Sequence, residues 1–188
     1  AAECCFAAPP VLEFDQAGTL VGSWGGPGEG YEWPASNHGI FVDHMDNVWI
    51  GGNGGPDSHL LKFTRYGRFL MQVGRSGGNA GSNDNENFGR VAKIYVDPKD
   101  NEAYIADGYL NKRVVVLDAE TGAFKRFWGA YGNTPDDTDL GRYDPNAEPA
   151  QQFRTPVHCA ELSNDGLVYV CDRVGDRIQV FQKDGTYV

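Results

Sequence analysis

No run of eighteen apolar residues occurs in this 188-residue sequence, so no helix able to cross a bilayer is expected. No window repeats apolar residues at helical spacing over several turns, which argues against an amphipathic helix. Positive charge is scarce: 16 Lys and Arg stand against 26 Asp and Glu, a net charge of −10. That balance weighs against general nucleic-acid or anionic-membrane partners, which require a basic surface. There is no C-x-x-C pair, which removes the simplest zinc-knuckle reading. The glycine-rich stretch Gly51-Gly52-Asn53-Gly54-Gly55 lacks the context of a phosphate loop.

What is present is a repeat. Three copies read His38-GIFVDHMDNVWI, Ala92-KIYVDPKDNEAYI and His158-CAELSNDGLVYV. Each is followed by an apolar run opening at His59, Arg113 or Arg177, and two by a further run opening at Arg68 or Ala123 and ending in Gly. Short runs of β-branched and aromatic residues broken by Asn, Asp and Gly turns predict strands. A repeat of this length built from short strands predicts an all-β propeller of four-stranded blades. The expected units are a half blade at 11–24, blades at 38–74 and 91–129, and an incomplete blade at 157–188, behind an N-terminal extension at 1–10. About three and a half blades cannot close a ring, which takes four to eight. The expectation is therefore part of a larger ring, with the other blades supplied by a longer polypeptide. Long, irregular connections at 25–37, 75–90 and 130–155 are the expected places for binding.

A radial repeat brings equivalent positions together near its axis. His38 and His158 occupy one repeat position, and Ala92 takes it in the intervening blade. Two imidazoles on alternate blades can share a metal, although catalytic zinc usually takes three protein ligands and a water. The plainer reading has each histidine hydrogen-bonded to the turn that enters its blade. His44 and His59 are expected in turns or at the surface. Asp107 and Asp172 open two equivalent turns and are expected to tie backbone amides, with Arg113 and Arg177 as ion-pair partners. Tyr109 and Arg173 follow those aspartates directly. Arg173 can clamp a carboxylate, and a tyrosine beside a cation can serve as a base. Asp43 and Asp97 end inner strands and are expected to cap turns, or to lend carboxylates to a structural calcium.

Cys159 and Cys171 lie equally far from the turn residue Asp165 and so face each other across antiparallel strands. They form either a disulfide, which points to an exported, oxidising setting, or two buried thiols. Cys4 and Cys5 are adjacent, and no pairing is forced on them. The opening Ala1-Ala2-Glu3 is compatible with a removed leader, and an extracytoplasmic location is expected.

These residues resemble a known family. The repeats resemble NHL repeats from about Val11 to Val188. Three segments, around His38, Asp107–Arg113 and His158 with Asp172-Arg173, resemble the catalytic propeller of peptidyl-α-hydroxyglycine α-amidating lyase. The resemblance implies a six-bladed propeller that splits a peptidyl-α-hydroxyglycine into a peptide amide and glyoxylate, using zinc and carrying a structural calcium. It implies zinc ligation by His38 and His158, a catalytic Tyr109, and an Arg173 that holds the substrate. A third zinc histidine has no counterpart here, so residues 1–188 alone are expected to be inactive. The expected partner is a small-molecule or peptide substrate. The alternative is a non-enzymatic NHL scaffold whose loops bind another protein.

Overall fold

The computed structural model describes residues 7–188; the expectations attached to Cys4 and Cys5 lie outside the described residues. Among the described residues thirteen strands form, with a single 3-10 turn at Ala130–Gly132. The first sheet pairs β1 (Val11–Phe14) with β2 (Leu20–Trp24). The second runs β3 (Asn37–Val42), β4 (Asn47–Gly52), β5 (His59–Thr64), β6 (Phe69–Gly74). The third runs β7 (Val91–Asp97), β8 (Glu102–Asp107), β9 (Arg113–Asp118), β10 (Phe124–Trp128). The last comprises β11 (Val157–Leu162), β12 (Val168–Asp172) and β13 (Arg177–Phe181). All neighbours are antiparallel, and β7 lies between β3 and β11. This is the propeller arrangement, with β3, β7 and β11 innermost. No helix among the described residues is long and apolar enough to cross a membrane.

The third sheet shows why the blades stack. Side chains alternate along a strand, so its two faces carry different residue sets. Tyr104, Ala106, Val114 and Val116 join one core with Ala160, Val168, Val170 and Phe181 of the last sheet. Ala103, Ile105, Val115 and Leu117 join a second core with Trp49 and Leu60 of the preceding sheet. A blade covered on both faces reads as a continuous apolar run instead of an alternating one, and β8 is buried along its whole length. The two-stranded first sheet covers the neighbouring face only in part, leaving Ile40 55% exposed, and on the last sheet Ile178 is 64% exposed.

Polar side chains fasten the turns and the long connections. Asp43 Oδ1 accepts from the amides of Met45 and Asn47, both at 2.9 Å, and its Oδ2 accepts from the Trp49 indole at 2.9 Å. Asp97 caps its turn through the Lys99 amide at 3.0 Å and pairs with Lys183. Asp107 and Arg113 pair at 2.8 Å, essentially without solvent contact. The remaining Arg113 N–H groups donate to the carbonyls of Ser82, Asp84 and Asn87 at 2.9, 2.5 and 2.9 Å. Arg177 pairs with Asp172 at 3.0 Å and donates to the carbonyls of Ala150 and Gln152 at 2.7 and 2.8 Å. Each arginine thus pins the connection that enters its own blade.

His59 corrects the expectation of a surface or turn residue. It opens β5, as Arg113 opens β9 and Arg177 opens β13, and it is 1% exposed. Its Nε2 lies 2.6 Å from the Glu32 carbonyl, so it fastens the connection before its blade as the arginines do. The aspartate has moved as well. Gly52 stands opposite Asn37, where Asp107 stands opposite Val91 and Asp172 opposite Val157. A Cβ at Gly52 would lie 2.4 Å from Asp57 Oδ2. The Asp57 carboxylate therefore fills the space that a residue 52 side chain would need, and it accepts from the amides of Ala35, Ser36 and Gly54 at 2.8, 3.1 and 2.7 Å.

Removing one member of a buried pair leaves an uncompensated charge. Asp107→Ala is expected to destabilise the fold by about 3–5 kcal/mol, read from urea unfolding, whereas a loss well under 1 kcal/mol would contradict the buried staple. A second prediction concerns Glu102, which Arg126 contacts at 2.9 and 2.5 Å and Lys125 at 2.5 Å. The Arg126 guanidinium, followed by Lys125 and the Tyr104 hydroxyl, holds the Glu102 carboxyl at about 2, down from 4.5. A lowered carboxyl stabilises the folded state fully above its unfolded value and loses that contribution as pH falls towards its folded value. The Glu102 contribution is thus expected to persist above pH 4.5 and to vanish towards pH 2. Stability measured against pH should show a shallower acid decline in Glu102→Gln than in the parent.

Candidate active site

Three β-bulges aim the central side chains. Opposite β12, Val157 faces Asp172 and Cys159 faces Cys171, which leaves His158 as the extra residue. Opposite β8, Val91 faces Asp107 and Lys93 faces Ala106, which leaves Ala92. On β3 the slip falls between Asn37 and Ile40, the interval that holds His38 and Gly39. A bulge redirects the side chain of the unpaired residue. Here it turns both imidazoles out of their ladders towards the inner end of the blades.

They meet there. The His38 and His158 rings lie 5.7 Å apart between centroids. The Tyr109 hydroxyl sits between them, 3.0 Å from His38 Nε2 and 3.1 Å from His158 Nε2. His38 Nδ1 is 2.8 Å from the Ala92 carbonyl. A carbonyl only accepts, so His38 carries its proton on Nδ1 and presents a lone pair at Nε2. Tyr109 then donates to His38 and accepts from the Nε2–H of His158. The blade that carries no histidine at this position thus contributes its carbonyl and its tyrosine.

Close backbone packing makes the tyrosine reach. A Cβ on Gly108 would fall 1.9 Å from the Val157 carbonyl, so only glycine lets the Asp107–Arg113 turn lie against the strand that carries His158. Asp107 Oδ1 holds the Gly89 amide at 2.6 Å, and the Tyr109 amide donates to the Arg90 carbonyl at 3.2 Å. In the equivalent turn of the last sheet, the Arg173 amide donates to the Pro156 carbonyl at 3.2 Å. The Arg173 guanidinium lies 5.7 Å from the Tyr109 ring centre, over its face. Burial, followed by the positive charge of Arg173, lowers the His158 pKa and favours its neutral form.

Sequence spacing singled out His38, His158, Tyr109 and Arg173, and the structure brings all four to one place. It leaves His44 exposed in its turn and puts His59 at the back of a blade. The parts not foreseen were Gly108, the Ala92 carbonyl and the bulges. The glycine after Asp107 was visible, but its need shows only once Val157 packs on it. Cys159 and Cys171 form a disulfide with Cα atoms 4.9 Å apart, immediately after His158 and two residues before Arg173.

Two imidazole nitrogens converge, His38 with its Nδ1 fixed on a carbonyl, the arrangement that orients metal-ligating histidines, and His158 offering Nε2 once its proton sits on Nδ1. They suit zinc in kind and fall short of three protein ligands in number. Among the described residues no group of three or more His, Cys, Asp or Glu side chains gathers as a metal site. Asp43 and Asp97 spend their carboxylates on the turn and ion-pair contacts given above.

No family model matches the chain. NHL repeat-containing protein 3 of Mus musculus is 32% identical over 185 residues, 94% of this chain and 46% of that protein. Peptidyl-glycine alpha-amidating monooxygenase B of Xenopus laevis is 30% identical over 156 residues, 80% of this chain and 16% of that protein. The chain belongs to the NHL-repeat β-propeller family. The NHL chain thus spans just under half the length of the first of these relatives. A solved Bacteroides fragilis protein, described as exported, superposes with a TM-score of 0.53 at 14% identity, over 86% of this chain and 38% of that one. That likeness concerns the fold alone.

Gly108→Ala is expected to separate Tyr109 from His158. The histidine side-chain 15N signals should then shift for both His38 and His158, whereas unchanged signals in a folded variant would contradict the packing described.

Proposed function

We propose that this NHL propeller is a zinc-dependent lyase that cleaves the C–N bond of a peptidyl-α-hydroxyglycine-type substrate. The observation that carries the reading is the meeting of His38 Nε2, His158 Nε2 and the Tyr109 hydroxyl within 3.1 Å contacts, with Arg173 over the phenol. Zinc, when bound by His38 and His158 with ligands from outside this chain, supplies polarisation of the substrate hydroxyl. Arg173 pairs with the substrate carboxylate and fixes its orientation. Tyr109 takes the hydroxyl proton as it gives up its own. The C–O bond gains its second bond as the C–N bond breaks, and the electron pair leaves with nitrogen. Nitrogen takes up the proton that Tyr109 passes on, giving an amide and glyoxylate with no change in oxidation state. The disulfide beside His158 supports an exported, oxidising location for this chemistry.

A second reading is a non-enzymatic scaffold. The relative with the widest overlap quoted above carries an NHL-repeat name with no activity in it, and the long connections offer polar surface to a protein partner.

The test is glyoxylate release from an α-hydroxyglycine peptide by the intact protein supplied with zinc. Release is expected, with Tyr109→Phe lowering kcat by roughly 10²–10⁴, the usual worth of a positioned acid–base group. No glyoxylate and no retained zinc would favour the scaffold.

A further inference from the structure

Most buried cations in this chain have a carboxylate partner. Arg113 has Asp107, and Lys62 has Asp43 at 3.8 Å. Lys112 does not. It is 8% exposed, and its ammonium donates to a main-chain carbonyl, that of Thr138. Among the described residues it has no ion-pair partner. Arg154, half-buried, donates to the carbonyls of Gly141 and Leu140 at 2.7 and 3.2 Å and likewise has no ion-pair partner among the described residues. An ammonium carries three N–H groups, and one carbonyl leaves its charge uncompensated. A largely desolvated cation without a contacting counter-ion is costly; the Asp136 carboxyl, held below its usual value by the Thr138 hydroxyl and amide and then by the Lys112 charge, acts on Lys112 only from a distance.

The two cations face one space. Lys112 and Arg154 line a cavity of about 100 Å³ together with Val174, the neighbour of Arg173. Lys112 belongs to the turn that carries Tyr109, and Val174 follows Arg173, so two of the cavity's wall residues lie on the two turns that supply the candidate site. Asp139 is also on its wall. One Asp139 oxygen accepts from the Gly141 amide at 2.9 Å, and Asp139 forms no ion pair with either cation.

We propose that Lys112 and Arg154 form an anion subsite that takes a second carboxylate of the substrate, so the preferred peptide is acidic next to its reacting end. The proposal rests on the lyase reading and adds a substrate class to it. Arg173 would hold the terminal carboxylate, and the Lys112–Arg154 cavity would hold the Asp or Glu side chain that precedes it.

The experiment measures binding of two unreactive peptides to the full chain, one ending in Glu-Gly and one in Ala-Gly. The Glu-Gly peptide is expected to bind on the order of tenfold more tightly at low salt, about 1.4 kcal/mol, with the preference shrinking as salt rises. The preference should disappear in Lys112→Met and in Arg154→Met and survive in Lys112→Arg. Equal binding of the two peptides by the parent would overturn the proposal, as would a preference that persists in both folded methionine variants. Should neither variant fold, the salt dependence of the parent's preference decides: a salt-independent preference overturns the subsite. The two readings fail separately. Glyoxylate released equally fast from Glu- and Ala-containing α-hydroxyglycine peptides removes the subsite and keeps the lyase. A Glu preference in binding without glyoxylate removes the lyase and leaves an acidic-peptide site.

Discussion

The buried aspartate–arginine pair between the second and third strands of a blade is the constraint on which the rest depends. Asp107–Arg113 and Asp172–Arg177 close equivalent turns. Tyr109 lies inside the first turn and Arg173 inside the second. The same arginines reach out to the carbonyls of the connection that enters each blade. One interaction therefore shapes the turn, fastens a long irregular segment and presents a side chain of the candidate site to the centre. Buried ion pairs contribute little net stability compared with an apolar replacement. Their use here lies in directing polar groups that an apolar core could not direct.

The site is built from three blades, none of which is sufficient. Two blades supply imidazoles through bulges in their innermost strands. The blade between supplies a carbonyl that sets the His38 tautomer and a phenol that touches both rings. Rigid sheets carry the histidines and a stapled turn carries the tyrosine, so the contacts do not depend on long flexible loops. The disulfide beside His158 ties β11 to β12 immediately after the bulge, where the ladder has lost a pair.

The architecture was legible because the blades repeat in sequence. Strands fell where short apolar runs and Asn, Asp and Gly turns put them, and His38 and His158 stood out by sharing one repeat position. Asp107 and Asp172 with their arginines were legible for the same reason. His59 was misjudged because it was compared with His38 and not with Arg113 and Arg177, whose strand position it shares. The exchange of Gly52 and Asp57 could not be read, since a carboxylate arrives from a different place in the chain to fill the same space. The bulges were invisible because they depend on pairing register. The Lys112–Arg154 cavity was equally hidden, because it joins a turn to the 130–155 connection, whose path no local pattern sets.

The central claim is that His38 and His158 serve one shared centre across the axis of the arc. Zinc affinity of the intact protein tests it most directly, measured for His38→Ala, His158→Ala and the double variant. A shared ion predicts strong non-additivity, with each single change lowering affinity on the order of tenfold or more and the second adding little. Independent, additive losses, or zinc retained at parental affinity without either imidazole, would contradict it.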